Sequence, residues 1–144
     1  PQLGPLFHEF AARHSEAARS FGTHPALFMS WAYHDKPEMT GELAAEYVKA
    51  GKANDALVVP AGLAFAASKA GRPDIALTIA DKRHPTLAGT YLAACTVLAS
   101  LYKVNPTGSA FTAGLPADIA AHLQSVAWET AQAFHAREGR ASLP

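Results

Sequence analysis

The sequence is poor in the features that most directly announce a function. It holds a single cysteine, Cys95, among 144 residues, so no intrachain disulfide can form, and zinc sites built on cysteine pairs and CxxC redox centres are excluded. An excess of charge of one sign is missing as well. Twelve basic and twelve acidic side chains cancel to a formal net charge of zero, which leaves no basic surplus to displace counterions from phosphates. A nucleic-acid partner is therefore not expected. Every long apolar run is interrupted by Lys, Asp, Pro or Gly before the roughly 18 residues that a transmembrane helix needs, so no membrane span is expected. The first residues lack a charged-then-apolar leader, and the chain opens on Pro1. That position reads as a cut or processed end, with any export signal upstream of it.

What is present is apolar material. Hydrophobic residues make up 49% of the chain, and a chain of this length buries roughly two thirds of its unfolded surface in one core. A single domain over residues 1–144 is expected, with a mobile polar tail over 136–144. Helical spacing of Phe7, Phe10, Ala11, His14, Ala17, Ala18 and Phe21, stopped by Gly22, predicts an amphipathic first helix. Ala26 to Tyr33 is a short, almost continuous apolar run between turn formers, the pattern of a strand buried on both faces of a parallel sheet. Met39 to Asn54 carries a second helical stripe, Ala56 to Pro60 a second buried strand, and Ala61 to Ala70 a helix ended by Gly71-Arg72-Pro73. The segment from Asp74 to Ala80 suits either a short strand or an extended loop. Pro85 fits the first turn of a helix that runs to about Tyr102 and is apolar nearly all round. A last helix spans Pro116 to about His135.

This order is alternating α/β with helices in excess. Two short strands do not make a stable open sheet, so the pattern reads as the second half of a doubly wound domain whose first strands are not in this sequence. The competing fold is a small all-helical domain in which both apolar runs are loops or short helices.

Seven histidines raise the question of a metal. His8 and His14 fall on different helix faces, His24 and His34 flank a predicted strand, and neither HExxH nor H-x-H occurs, so no metal ligand set is expected. The pair Asp81 and His84 carries more. A histidine that acts as a general base on a hydroxyl needs a carboxylate on its other ring nitrogen, to fix the tautomer and to stabilise the imidazolium that forms. Three residues of loop let both side chains face one point, and Pro85 restricts His84 to an extended backbone.

The stretch His84-Pro85-Thr86-Leu87-Ala88-Gly89-Thr90-Tyr91-Leu92-Ala93-Ala94-Cys95 resembles the segment that begins at the catalytic histidine in SGNH/GDSL hydrolases, particularly a bacterial branch. Val59-Pro60-Ala61-Gly62-Leu63-Ala64 looks like the strand end and helix start preceding it, and Phe28-Met29-Ser30-Trp31-Ala32 is similar to an earlier core strand. The resemblance covers most of residues 7 to 108. It implies the C-terminal portion of a flavodoxin-like three-layer αβα fold and hydrolysis of a carbohydrate, lipid or other small-molecule ester through an acyl-enzyme, without metal or organic cofactor. His84 would be the base and Asp81 its orienting carboxylate. The Gly-Asp-Ser block that carries the family's nucleophile is missing. Each serine has the wrong neighbours, and Asn54 and Asn105 stand outside any matching context for an oxyanion donor. The serine is therefore expected upstream of Pro1, with the sheet completed by that missing segment or by a second chain, and this chain alone is expected to be inactive.

Trp31 and Tyr33 fall at the C-terminal end of the first predicted strand, the edge where open α/β sheets bind ligands, and are candidates to line the substrate pocket. The alternative from another class is a non-catalytic helical or α/β binding module in which Asp81 and His84 only cap a helix.

Overall fold

A computed structural model describes residues 4–139. Five helices and two strands follow in the order α1 (Gly4–Ser20), β1 (Ala26–Phe28), α2 (Met39–Ala53), β2 (Leu57–Val59), α3 (Ala61–Gly71), α4 (Leu87–Leu101) and α5 (Ala117–Arg137). The strands pair in parallel, with Ala26, Leu27 and Phe28 opposite Leu57, Val58 and Val59, and α2 makes the crossover that parallel neighbours require. The fold is thus helix-rich α/β. A purely helical domain is ruled out by this pairing.

Most of the core lies in the helices. Nearly every face of α4 is apolar, so it must be covered on several sides, and it packs between α3 and α5. Phe65 of α3, Tyr91, Leu92 and Cys95 of α4, and Leu123 and Ala127 of α5 form one buried cluster, joined by Ile75 and Leu77 from the segment before α4. A second cluster under the sheet joins Met29, Val58 and Phe134, with Leu27, Tyr47 and Leu63 packed against it. Phe134 lies near the end of α5, so that helix links the two.

Three expectations are corrected. The first strand ends at Phe28 instead of Tyr33. Met29 still donates to the Val59 carbonyl, but its own carbonyl accepts from Gly62 N, which turns the chain into a loop over the start of α3. Gly62 is required there, because a Cβ would lie 2.2 Å from the Ser30 carbonyl oxygen. Nor is β1 buried on both faces. It has a neighbour on one side only, and Phe28 is 42% exposed, whereas all three residues of β2 are buried. Finally, Pro85 stands before α4 and not within it. It forms an isolated antiparallel bridge with Thr78, and the helix begins after Thr86, whose hydroxyl accepts from Gly89 N. Residues 136 and 137 complete α5, while Pro1 and residues 140–144 lie outside the described residues.

The long connection from α4 to α5 is held by one buried amide. Gln124, 2% exposed, donates to Tyr91 Oη and to the Ser109 carbonyl and accepts from Gly108 N, while Tyr91 Oη donates to the Phe111 carbonyl. Gln124→Leu keeps the size but orphans Gly108 N–H and Ser109 C=O. It is expected to cost about 2 kcal/mol, read as a lower urea midpoint at unchanged m-value.

Candidate active site

Asp81 and His84 sit at the tip of a tight loop. Ile79 N donates to the His84 carbonyl, and Thr86 N to the Leu77 carbonyl, so the chain closes on itself below the tip. That closure is clamped to α4: a Cβ on Gly89 would lie 2.2 Å from the Leu77 oxygen, so only glycine admits the approach. At the tip, Lys82 takes a left-handed backbone conformation with φ 65°, strain of about 1 kcal/mol for a residue with a Cβ.

The carboxylate of Asp81 organises this turn. Its Oδ1 accepts from the backbone N–H groups of Arg83 and His84, both at 2.9 Å, and its Oδ2 lies 2.5 Å from His84 Nδ1. The ring contact, followed by the two backbone donors, holds the carboxyl down at about 2 against an ordinary 3.8. An ionised carboxylate only accepts, so Nδ1 bears the proton, and in the neutral ring Nε2 keeps its lone pair. The His84 side chain is 77% exposed, and Nε2 has no hydrogen-bond partner among the described residues. Asp81 and His84 do not cap α4, since Thr86 does.

The loop after β1 holds the tip from the side. Trp31 Nε1 donates to the Arg83 carbonyl at 2.8 Å, and its indole stacks on Phe65 with ring centres 4.1 Å apart and planes 3° from parallel. His34 N donates to the Lys82 carbonyl. Lys82 Nζ reaches Asp35 at 3.3 Å, and the Arg83 guanidinium lies 4.6 Å over the Tyr33 ring. Trp31 thus anchors the loop that carries His84, while Tyr33 faces both Arg83 and a neighbouring groove. Asp35, Lys82 and Arg83 carry no sequence signal of this role, because their partners are about 50 residues away in the chain. The run Asp35-Lys36-Glu38, which reads as solvated loop, contributes one of these ties.

A serine does meet a histidine elsewhere. Ser68 Oγ lies 3.2 Å from His122 Nε2, but Ser68 is fully buried on α3 and the nearby Asp74 is engaged by Arg72. This contact ties α3 to α5, and a nucleophile without access to substrate does no chemistry. None of the described serines hydrogen-bonds His84. His8 pairs with Glu46 at 2.5 Å, and among the described residues no three His, Cys, Asp or Glu side chains are grouped to hold a metal ion.

A scan of family models and searches of curated proteins and of solved structures find no match to this chain.

Two measurements probe the site. Because the folded pKa of Asp81 is depressed, its stabilising contribution is present above the unfolded value near 4 and is lost as pH falls towards 2. A carboxyl-detected NMR titration should give a midpoint near 2, moving back towards 3.8 in His84→Ala. Trp31→Phe keeps an aromatic face on Phe65 but removes the donor to Arg83. It is expected to cost about 1 kcal/mol and to shift the ring resonances of His84 while leaving those of His122 in place.

Proposed function

We propose that this chain carries the acid–base half of a serine ester hydrolase of the SGNH type and forms the C-terminal portion of a flavodoxin-like three-layer domain. The observation that carries the reading is the contact between Asp81 Oδ2 and His84 Nδ1 at 2.5 Å, with Nε2 left open to solvent. A ring so held is a base in the right tautomer. The stretch from His84 to Cys95, which resembles the family's histidine segment, supports the same assignment.

In the mechanism, His84 Nε2 takes the proton of a serine hydroxyl as the serine oxygen attacks the ester carbonyl. The carboxylate of Asp81 stabilises the imidazolium. His84 then returns the proton to the departing alcohol, which leaves an acyl-enzyme. In the second half, water loses its proton to the same nitrogen, attacks the acyl carbon, and releases the carboxylic acid with the serine restored. Because the mechanism draws no electrons or bonds from a cofactor, it needs none. The serine and the oxyanion donors belong to a segment or second chain that extends the sheet. The open edge of β1 suits such an addition: Phe28 is exposed there, and Leu6, Phe10 and Tyr47 flank it in an apolar groove.

The test is labelling of the protein expressed from its full reading frame. It should take a fluorophosphonate label and hydrolyse p-nitrophenyl acetate, and His84→Ala should lower kcat/KM about a thousandfold or more. If the full-length protein neither takes label nor hydrolyses the ester, the hydrolase reading fails.

A further inference from the structure

A groove of about 480 Å³ lies between α3, the extended segment from Pro73 to Thr78 and the loop after β1. Its volume is within the range of small-molecule sites, which are mostly apolar with a few placed polar groups. Neither Asp81 nor His84 lines it. The walls are the side chains of Phe65, Ala66 and Ala70 on α3 and of Ile75 and Leu77 opposite.

Its charges are unequal in their freedom. Asp74 is at the rim, but Arg72 binds that carboxylate through Nε and Nη2 at 2.7 to 3.1 Å. Lys69 also lines the groove and spends one N–H on the His34 carbonyl at 2.8 Å. No carboxylate pairs with Lys69 among the described residues, so two ammonium protons remain for a ligand. A partly buried cation beside an apolar trough fits an anionic head joined to an apolar tail. Asp74 opposes an anion only weakly, because Arg72 neutralises it.

We propose that this groove binds an aliphatic monocarboxylate, its chain laid against Phe65, Ala66 and Ile75 and its carboxylate hydrogen-bonded to Lys69 Nζ. The binding does not require the hydrolase reading, since no residue of the Asp81–His84 pair takes part.

Trp31 reports on the groove, because it stacks on Phe65, which forms part of the wall. In a Trp128→Phe background, octanoate below its micelle concentration should change the Trp31 emission in a saturable way. Octanol, with the same tail and no charge, should bind about tenfold more weakly, and acetate, with the head alone, should not saturate. Lys69→Met should bring octanoate to the level of octanol, a loss of about tenfold, or about 1.4 kcal/mol. Lys69→Arg should stay within about threefold of the wild type. Ala66→Phe, which fills the trough, should abolish both ligands; because Lys69 lies at the rim, its two variants decide the matter even if Ala66→Phe does not fold. Octanoate and octanol of equal affinity, an unaffected Lys69→Met, or no saturable change overturns the proposal. Loss of octanoate binding in a protein that still takes fluorophosphonate label removes the groove alone, and binding without label leaves the groove standing without the hydrolase.

Discussion

The burial of α4 is the constraint on which the rest of the structure depends. A helix whose positions are nearly all apolar has to be covered over much of its surface, and α3 and α5 close on it from two sides, leaving only the stripe through Leu87, Thr90 and Ala94 exposed to solvent. Its first turn is then a fixed point. Thr86 caps that turn, and Gly89 receives the Leu77 carbonyl at a distance no side chain would allow. The segment before the helix has nowhere to move, so the three residues between Asp81 and Pro85 must turn sharply. The contact between Asp81 and His84 is built on a helix terminus that is itself held by the core.

That terminus alone would leave an exposed tip free to rock. The second restraint comes from the sheet side of the molecule, where β1 ends early and sends its loop across to the tip. An indole N–H, a backbone N–H, an ion pair and a guanidinium over a ring all reach residues 82 and 83. Each is individually weak in water. Together they hold a strained Lys82 backbone in place, and the stacking of Trp31 on Phe65 passes the restraint back into the main core. Trp31 is therefore a mechanical part of the loop. The aromatic that meets open space is Tyr33, on the wall of the groove.

Much of the architecture was legible because it rests on local periodicity. All five helices appear close to where the apolar spacing places them, and the two strands fall within the predicted runs. The misses share a cause. Ser30 to Tyr33 is as apolar as a strand requires, but strand length is set by partners, and β2 offers only three residues to pair with. Pro85 has the right chemistry for a helix start, yet the Thr86 hydroxyl competed better for the cap and the proline was drawn into the bridge with Thr78. The Asp81 and His84 pair could be read because a carboxylate three residues before a histidine can meet it within one turn.

By itself the sequence determined the α/β class, the helix-rich proportions, the absence of an intrachain disulfide, and the local pairing of Asp81 with His84. These follow from composition and from contacts a few residues apart, where chain geometry leaves little freedom. Only the tertiary structure decided that β1 is an exposed edge, that a buried Ser68 meets a half-buried His122 between α3 and α5, that Trp31 braces the loop, and that Lys69 faces an apolar groove. Those are contacts between residues about 35 to 55 positions apart, and no local pattern encodes them, because they come into being only when α3, α4 and α5 bury their shared surface.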